Sequence, residues 1–251
     1  MSGHSHWATI RRKKGAADAK RGQVFTRLAR EIVLASRDGG GDPGSNFRLQ
    51  LAIDRARAQN MPKDSIERAI KRGTGESKEG IVLEEVFYEG YAPHGAALMI
   101  ETVTDNRNRA VADIRHVLSR HGGNMADAGS VSWQFTRIAG FTFPLGKHSN
   151  DQIFELAVEA GADDVTFDDD QVEIIGPVDS FRSISERLRA VGITPDEAGL
   201  RMTPNNELEL GDDETIQILK LVELLEELDD VQNVFHNLKV SDAIWAQLEE
   251  A

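Results

Sequence analysis

The sequence predicts an α+β fold with an N-terminal helical domain and two α+β, ferredoxin-like domains, one of which is inserted in the other. Apolar residues recur at helical spacing up to about residue 75, and from Glu84 the hydrophobic period changes from 3.6 to 2. A block with the element order β-α-β-β-α-β then interrupts a second α+β unit. The predicted domains are residues 1–80, residues 81–137 together with 207–251, and residues 138–206.

Three helices are predicted in the basic N-terminal part, over residues 18–37, 45–60 and 64–72. A glycine-rich stretch separates the first two, and a Met-Pro pair separates the second from the third. In the first helix the apolar residues share one face, and the cations lie on the opposite arc. Asp64 and Glu67 have the spacing of a capping box, so we expect them to cap the third helix.

From Glu84 onward the pattern predicts alternating strands and helices. In the last strand before the inserted block, Val131, Trp133 and Phe135 are expected to share one face. The elements predicted for the first unit are strands over 86–91, 97–103 and 130–136, a helix over 108–121, and, after the block, a helix over 214–230 and a strand over 234–240. The elements predicted for the block are strands over 141–145, 165–167, 172–175 and 198–203 and helices over 150–160 and 180–191.

Charge is divided unevenly along the chain. Residues 1–75 contain 16 Lys and Arg and 7 Asp and Glu, which gives a net charge of +9. The remaining residues contain 13 basic and 35 acidic side chains, a net charge of −22, whereas the whole chain carries −13. A basic segment of this kind is typical of binding to a polyanion. Nucleic acid is the commonest such partner, because each neutralised phosphate releases counterions.

The N-terminal string Gly3–Lys14 places four consecutive cations beside an indole and two imidazoles. Arg and Lys can bond phosphate oxygens, and Trp and His can stack on unpaired bases. The alternative is a solvated basic tail with Trp7 packed on the first helix. The pattern does not distinguish DNA from RNA. The candidate nucleic-acid contacts are Trp7, Arg11, Arg12, Lys13, Lys14, Lys20, Arg21, Arg27 and Arg30.

A second cationic string lies just before the helix predicted over 108–121. Arg107 and Arg109 alternate there with amides, at a position where phosphate or a carboxylate can dock, so both are candidate secondary contacts. In the alternative interpretation, Asp105 or Asn108 caps the helix and the two arginines pair with acidic residues of the next domain.

Several classes of protein are disfavoured by what the chain lacks. It contains no cysteine, which excludes disulfides, thiolate metal sites and cysteine nucleophiles, and its histidines are scattered, so we expect no metal site and no cofactor. No catalytic or nucleotide-binding constellation is visible, so we expect neither an enzyme nor a small-molecule substrate. Without a secretory signal or a run of about 18 apolar residues, we expect a cytoplasmic protein and no membrane partner.

Seven strings distributed over nearly the whole length closely resemble the YebC/PmpR family. The resemblance implies three domains, a helical one followed by two α+β domains with one inserted in the other, and a non-enzymatic protein that needs no cofactor. His6 stands where the family commonly has Lys, and Ala92 where it often has Gly. The strings are Met1–Lys14, Asp18–Gly22, Asn60–Asp64, Tyr88–Pro93, Thr104–Arg109, His121–Asn124 and Gly129–Phe135.

The resemblance implies a role in gene expression. Bacterial members are described as transcriptional regulators that bind promoter DNA. Mitochondrial relatives act as translational activators, and some bacterial members resemble ribosome-associated factors that ease the synthesis of proline-rich stretches. We predict a DNA-binding transcriptional regulator, with a translation factor bound to ribosomal RNA as the alternative. A third hypothesis is an adaptor whose acidic domains capture the ribosome or a protein partner while the basic module docks on them.

Overall fold

The computed structural model describes residues 18–76, 83–168, 170–241 and 243–245, with side chains from residue 22 onward. The three helices predicted in the basic part are confirmed. They are α1 (Asp18–Gly39), α2 (Phe47–Ala58) and α3 (Lys63–Gly73).

The start of α2 is fixed by Asn46. Its side-chain oxygen accepts the Leu49 N–H at 3.1 Å, and its amide nitrogen donates to the Ala35 and Gly40 carbonyls at 2.7 Å each. One buried amide therefore caps α2 and ties it to the end of α1. The capping box predicted for α3 is wrong, because Pro62 occupies the N-cap position and no side chain caps the helix. Asp64 instead lies in the first turn, where a carboxylate favours the helix dipole.

The first sheet has the strand order β3-β1-β2-β8. Its strands pair antiparallel, and α4 and α7 pack their apolar sides into one core with Leu98 and Ile100 of β2. These elements, which we call the first lobe, are β1 (Glu84–Tyr91), β2 (Ala97–Thr104), α4 (Arg107–Arg120), β3 (Asn124–Met125), α7 (Asp212–Glu226) and β8 (Val231–His236).

The second sheet has the strand order β5-β6-β4-β7, all antiparallel. Numbered within this block, the order is 2-3-1-4, and with a helix in each of the two crossovers it matches the split βαβ unit that the sequence predicts. These elements, which we call the second lobe, are β4 (Phe135–Pro144), α5 (Asn150–Glu159), β5 (Asp164–Asp168), β6 (Gln171–Pro177), α6 (Phe181–Ala190) and β7 (Glu197–Pro204).

The strand predicted over 130–136 is mostly wrong. Residues 132–134 form a 3₁₀ turn, and β4 begins only at Phe135 and then continues to Pro144. Val131 and Phe135 are buried as expected, but Trp133 is 68% exposed. Because β4 is one continuous strand, it crosses the predicted boundary between residues 137 and 138; the division into domains stays a prediction.

The helix predicted over 214–230 ends earlier, at Glu226. Acidic side chains are unfavourable at a helix C-terminus, where the dipole is negative, and this chain ends α7 in a run of them. Asp229 and Asp230 consequently lie in the turn before β8, which begins at Val231 rather than Val234.

The helical segment, residues 18–76, packs against both lobes. Toward the second lobe, the Phe47 ring meets Phe181 edge-on with a centroid distance of 6.2 Å, and Leu51 is buried in that lobe's core. Toward the first lobe, Val103 of β2 joins the apolar core of the helices. In the part of the chain that the structure describes, no helix is both long enough and apolar enough to cross a membrane.

Candidate nucleic-acid interface

Most of the predicted phosphate contacts precede the described side chains. Lys20 and Arg21 belong to α1 by their backbone only. For these residues the role in nucleic-acid binding stays a prediction. The residues that lie outside the described side chains are Trp7, Arg11, Arg12, Lys13, Lys14, Lys20 and Arg21.

Arg30 of α1 binds the turn before β8. Its guanidinium donates to the Asp229 carbonyl and to the Asp230 carboxylate, the latter at 2.8 Å. The side chains of Arg30 and Asp230 are 14% and 6% exposed, so the pair is largely desolvated. Arg27, one turn earlier, is half-buried. Arg30 therefore anchors α1 on the first lobe, and this arrangement leaves little of its guanidinium for a phosphate.

Asp230 also binds Arg109 of α4. The Arg109 guanidinium donates to the two Asp230 oxygens at 2.9–3.1 Å and to Asp105 at 2.7 Å, and the Thr104 hydroxyl donates to Asp230 at 3.1 Å. The hydrogen bond from Arg109 lowers the pKa of Asp105, and its bonds to Asp105 and Asp230 raise the pKa of Arg109. We call Arg30, Arg109, Asp105 and Asp230 the Asp230 cluster; it joins α1, α4 and the turn before β8.

Asn106 begins α4. Its side-chain oxygen accepts the Arg109 N–H at 3.1 Å, and its own N–H donates to the Thr104 hydroxyl at 2.9 Å. The prediction that Asp105 or Asn108 caps this helix is therefore wrong by one or two residues. Arg107 pairs with Glu84 of β1, so both arginines of the string pair with carboxylates. The alternative interpretation expected such pairing but with the next domain, and there it is wrong, because Glu84, Asp105 and Asp230 belong to the first lobe and its turns.

A cationic surface that the sequence reasoning missed lies farther along α4. Arg115, His116, Arg120 and His121 are all exposed, and we call them the α4 basic face. A signal was available, since four of the 13 Lys and Arg that follow residue 75 lie in α4. The arginines that alternate with amides at 104–109 lie at the opposite end of the helix.

The first described turn of α1 lies beside the first turns of α4. Gln23 donates to the Glu227 carbonyl at 3.2 Å, and together with Arg109, Asp113 and Asp229 it lines a cavity of about 330 Å³. Within the described residues, the start of α1 therefore meets the first lobe next to α4. Among the described residues, no group of three or more His, Asp or Glu side chains is placed to hold a metal ion.

The helical segment and the two antiparallel lobes together form an α+β protein. We call residues 1–75, with a net charge of +9, the basic head, and the remaining residues, with a net charge of −22, the acidic body. The chain matches the model of the TACO1/YebC N-terminal domain over residues 5–76 and that of the TACO1/YebC second and third domain over residues 83–238. It therefore belongs to the TACO1/YebC family.

Similar proteins cover the whole chain. A "Probable transcriptional regulatory protein" of Acidithiobacillus ferrooxidans is 51% identical over 249 residues, 99% of each chain. A protein of the same description from Chlorobaculum tepidum is 49% identical over the full length of both chains. The crystal structure of a conserved hypothetical protein, Aq1575, from Aquifex aeolicus superposes with a TM-score of 0.79 at 40% identity, covering 90% of this chain and 93% of that one. The relatives' names support a regulatory role.

Proposed function

We propose that this protein is a cytoplasmic regulator of transcription that binds DNA through its basic N-terminal part. It catalyses no reaction in this proposal. The observation that carries the proposal is the separation of charge, +9 in residues 1–75 against −22 in the remainder. The description of the relatives as transcriptional regulatory proteins supports transcription as the process.

In this proposal the cations before α1 neutralise phosphates, and Trp7 lies against the backbone or a base. Phosphate contacts of this kind hold and orient a protein on duplex DNA without reading its sequence. The acidic lobes carry the opposite net charge and repel the same backbone overall, which orients the basic head toward it. The contacts are assigned to Arg11, Arg12, Lys13, Lys14, Lys20 and Arg21, with Arg27 at the edge of the surface. Arg30 is left out, because Asp229 and Asp230 already bind its guanidinium.

The pairing of described cations supports placing the main contacts in this early stretch. Arg48 pairs with Asp38 at 3.2 Å and Arg55 with Glu31 at 2.9 Å, both within the helical segment. Together with Arg30, these arginines already hold carboxylates of the protein. A phosphate would have to displace those partners, whereas an exposed cation in water exchanges only solvent and counterions.

The experiment neutralises the four consecutive cations by Arg11→Gln, Arg12→Gln, Lys13→Gln and Lys14→Gln. The matched control removes four exposed cations of the second lobe and gives the same net charge: Lys147→Gln, Arg182→Gln, Arg187→Gln and Arg189→Gln. Affinity for a 25-base-pair duplex is measured by fluorescence anisotropy at several salt concentrations.

The head variant should lower the slope of log affinity against log salt by roughly 3 to 4, since each phosphate contact contributes about 0.9. The control should keep the wild-type slope. An unchanged slope in the head variant would refute the assignment. A parallel titration with a ribosomal RNA fragment of equal charge tests whether the protein acts in transcription. Tight RNA binding with no DNA binding would refute the role in transcription but not the binding of a polyanion by the basic head.

A further inference from the structure

The α4 basic face is an unusual surface for an acidic lobe. Arg115 and Arg120 are exposed, and within the part of the chain that the structure describes neither lies within ion-pair distance of a carboxylate. Asp113 is the single acidic residue of α4, and it lines the cavity beside Gln23. On α6 of the second lobe, exposed Arg182 and Arg187 pair with glutamates at 2.8 and 3.3 Å. Among the described residues, Arg189 of the same helix resembles the α4 arginines in having no such pair.

The side chains of the α4 basic face do not contribute to packing the helix on the sheet. The helix is held on the sheet by its opposite side, where Ala110, Ile114 and Leu118 are buried. The cations stand on the outer arc, with Ser119 and Ala112 between them. Arg115 and Arg120 therefore present their charges to solvent from successive turns of the helix. A phosphate backbone laid along this face would neutralise both charges.

The position of α1 relates the α4 basic face to the DNA contacts of the proposed function. Gln23 and the Asp230 cluster place the first described turn of α1 beside the first turns of α4. Of the cations that the proposed function assigns to DNA, Lys20 and Arg21 directly precede that turn in the sequence, and Arg11–Lys14 come nine to twelve residues before Gln23. A duplex held at Lys20 and Arg21 is therefore close to α4. At 1.5 Å per residue α4 is about 21 Å long, which matches about six base pairs of a duplex.

We propose that the α4 basic face is a second phosphate-binding surface, over which the DNA backbone continues after it leaves the N-terminal cations. Arg115 and Arg120 hold phosphates, and His116 and His121 flank them as hydrogen-bond donors or acceptors. This inference rests on the proposed function. It adds a contact from the first lobe, so that DNA is held by two parts of the protein rather than by the head alone.

The test compares the double variant Arg115→Gln, Arg120→Gln with the double variant Arg182→Gln, Arg189→Gln. Both remove two exposed helical arginines from the acidic lobes, so net charge changes equally. For a 25-base-pair duplex at 150 mM salt, the α4 variant should bind at least about tenfold more weakly and lose roughly 2 from its salt slope. The control should differ from wild type by less than about twofold.

A charge-retaining variant tests whether weaker DNA binding is due to the lost charge rather than to a folding defect. Arg115→Lys with Arg120→Lys keeps both point charges and should retain the wild-type salt slope, since a single phosphate contact needs charge rather than a planar fork. If the glutamine variant binds like its control, the α4 surface does not meet DNA, although the head variant still tests the proposed function. If wild-type binding itself does not respond to salt, both proposals fail.

Discussion

At the scale of single residues, Glu89 determines the shape of the loop before β4. Its carboxylate accepts the N–H groups of Gly129, Val131 and Ser132 at 2.7, 2.5 and 2.9 Å. Burial alone would raise the pKa of Glu89, but these three donors outweigh it, and the pKa lies below its ordinary value. The three amides turn toward one carboxylate and are not available to a strand ladder.

Replacing Glu89 by Ala should lower the free energy of unfolding by about 2–3 kcal/mol, because three amides lose their acceptor. Glu89→Gln keeps one acceptor oxygen and should cost less. Urea unfolding at pH 7 measures both variants. Because the folded pKa is depressed, the contribution of Glu89 is complete above about pH 4.5 and is lost as the pH falls through the folded value. Equal stabilities of wild type and Glu89→Ala would contradict this role.

The same loop presents Trp133 to solvent. Its indole N–H donates to the Ser130 carbonyl at 3.0 Å, and the ring is exposed. Trp133→Ala should therefore change the free energy of unfolding by less than about 1 kcal/mol, since little apolar surface returns to water. The matched change at the buried Trp245 should cost about 3–5 kcal/mol. A large loss at Trp133 would mean that the ring is packed.

At the scale of elements, β2 and β8 each carry a buried ionisable group whose pKa is shifted. Burial, assisted by the neighbouring Glu85, raises the pKa of Glu101 on β2 to about 7. A hydrogen bond from Asn233 at 2.7 Å and the charge of Arg48 oppose this rise but do not cancel it. Burial also lowers the pKa of His236 on β8 to about 4. Glu101 is thus held protonated, and His236 neutral, in the folded protein at mildly acidic pH.

These two shifts act in opposite directions on stability. Raising the pH from about 4.5 to 7 removes the contribution of Glu101, because its folded pKa is raised. Lowering the pH from about 6.5 to 4 removes the contribution of His236, because its folded pKa is depressed. Over their common window the two dependences partly offset each other, so wild-type stability should be nearly flat there.

Glu101→Gln should expose this compensation. The amide retains an oxygen for Asn233 and cannot ionise, so the variant should be more stable than wild type at pH 8 by at least about 1 kcal/mol. Its stability should also rise with pH between about 4.5 and 6.5, because the dependence due to His236 is then no longer offset by Glu101. Urea unfolding at several pH values measures both effects. A variant with wild-type stability at pH 8 would show that Glu101 ionises without cost.

The helices and most strands could be predicted from local periodicity, because their buried faces follow the 3.6- and 2-residue patterns. The strand at 130–136 could not. Its alternation is genuine, but Glu89, some 40 residues upstream, takes the amides that a ladder would need. The cap of α4 was missed for a related reason: adjacent Asp and Asn residues are equivalent by type, and only the backbone geometry selects Asn106.

At the scale of the whole molecule, the Asp230 cluster joins the basic head to the acidic body. The sequence identified Arg30 as a cation on the polar arc of the first helix and Arg109 as a cation in the string before a later helix. Their common partner lies 200 residues from Arg30 and 121 residues from Arg109. Such long-range pairs have no local signature. They also explain how a head with a net charge of +9 can pack on a body of −22: the opposite charges meet at a desolvated junction.

Asp230→Asn should destabilise the protein by about 2–4 kcal/mol, because Arg30 would remain buried without a charged partner. Asp105→Asn, which changes an exposed partner of the same Arg109, should cost less than about 1 kcal/mol. Urea unfolding gives both values, and hydrogen exchange should show faster exchange in α1 for Asp230→Asn only. Equal effects of the two variants would show that the junction does not depend on the buried pair.

The binding of nucleic-acid phosphates by the basic head is tested most directly by the salt dependence of wild-type binding to a DNA duplex between 50 and 200 mM salt. Six to ten phosphate contacts predict a slope of log affinity against log salt of about −5 to −9, and a loss of affinity of roughly 10³–10⁵-fold over that range. A slope near zero would contradict the claim that the basic head binds nucleic-acid phosphates.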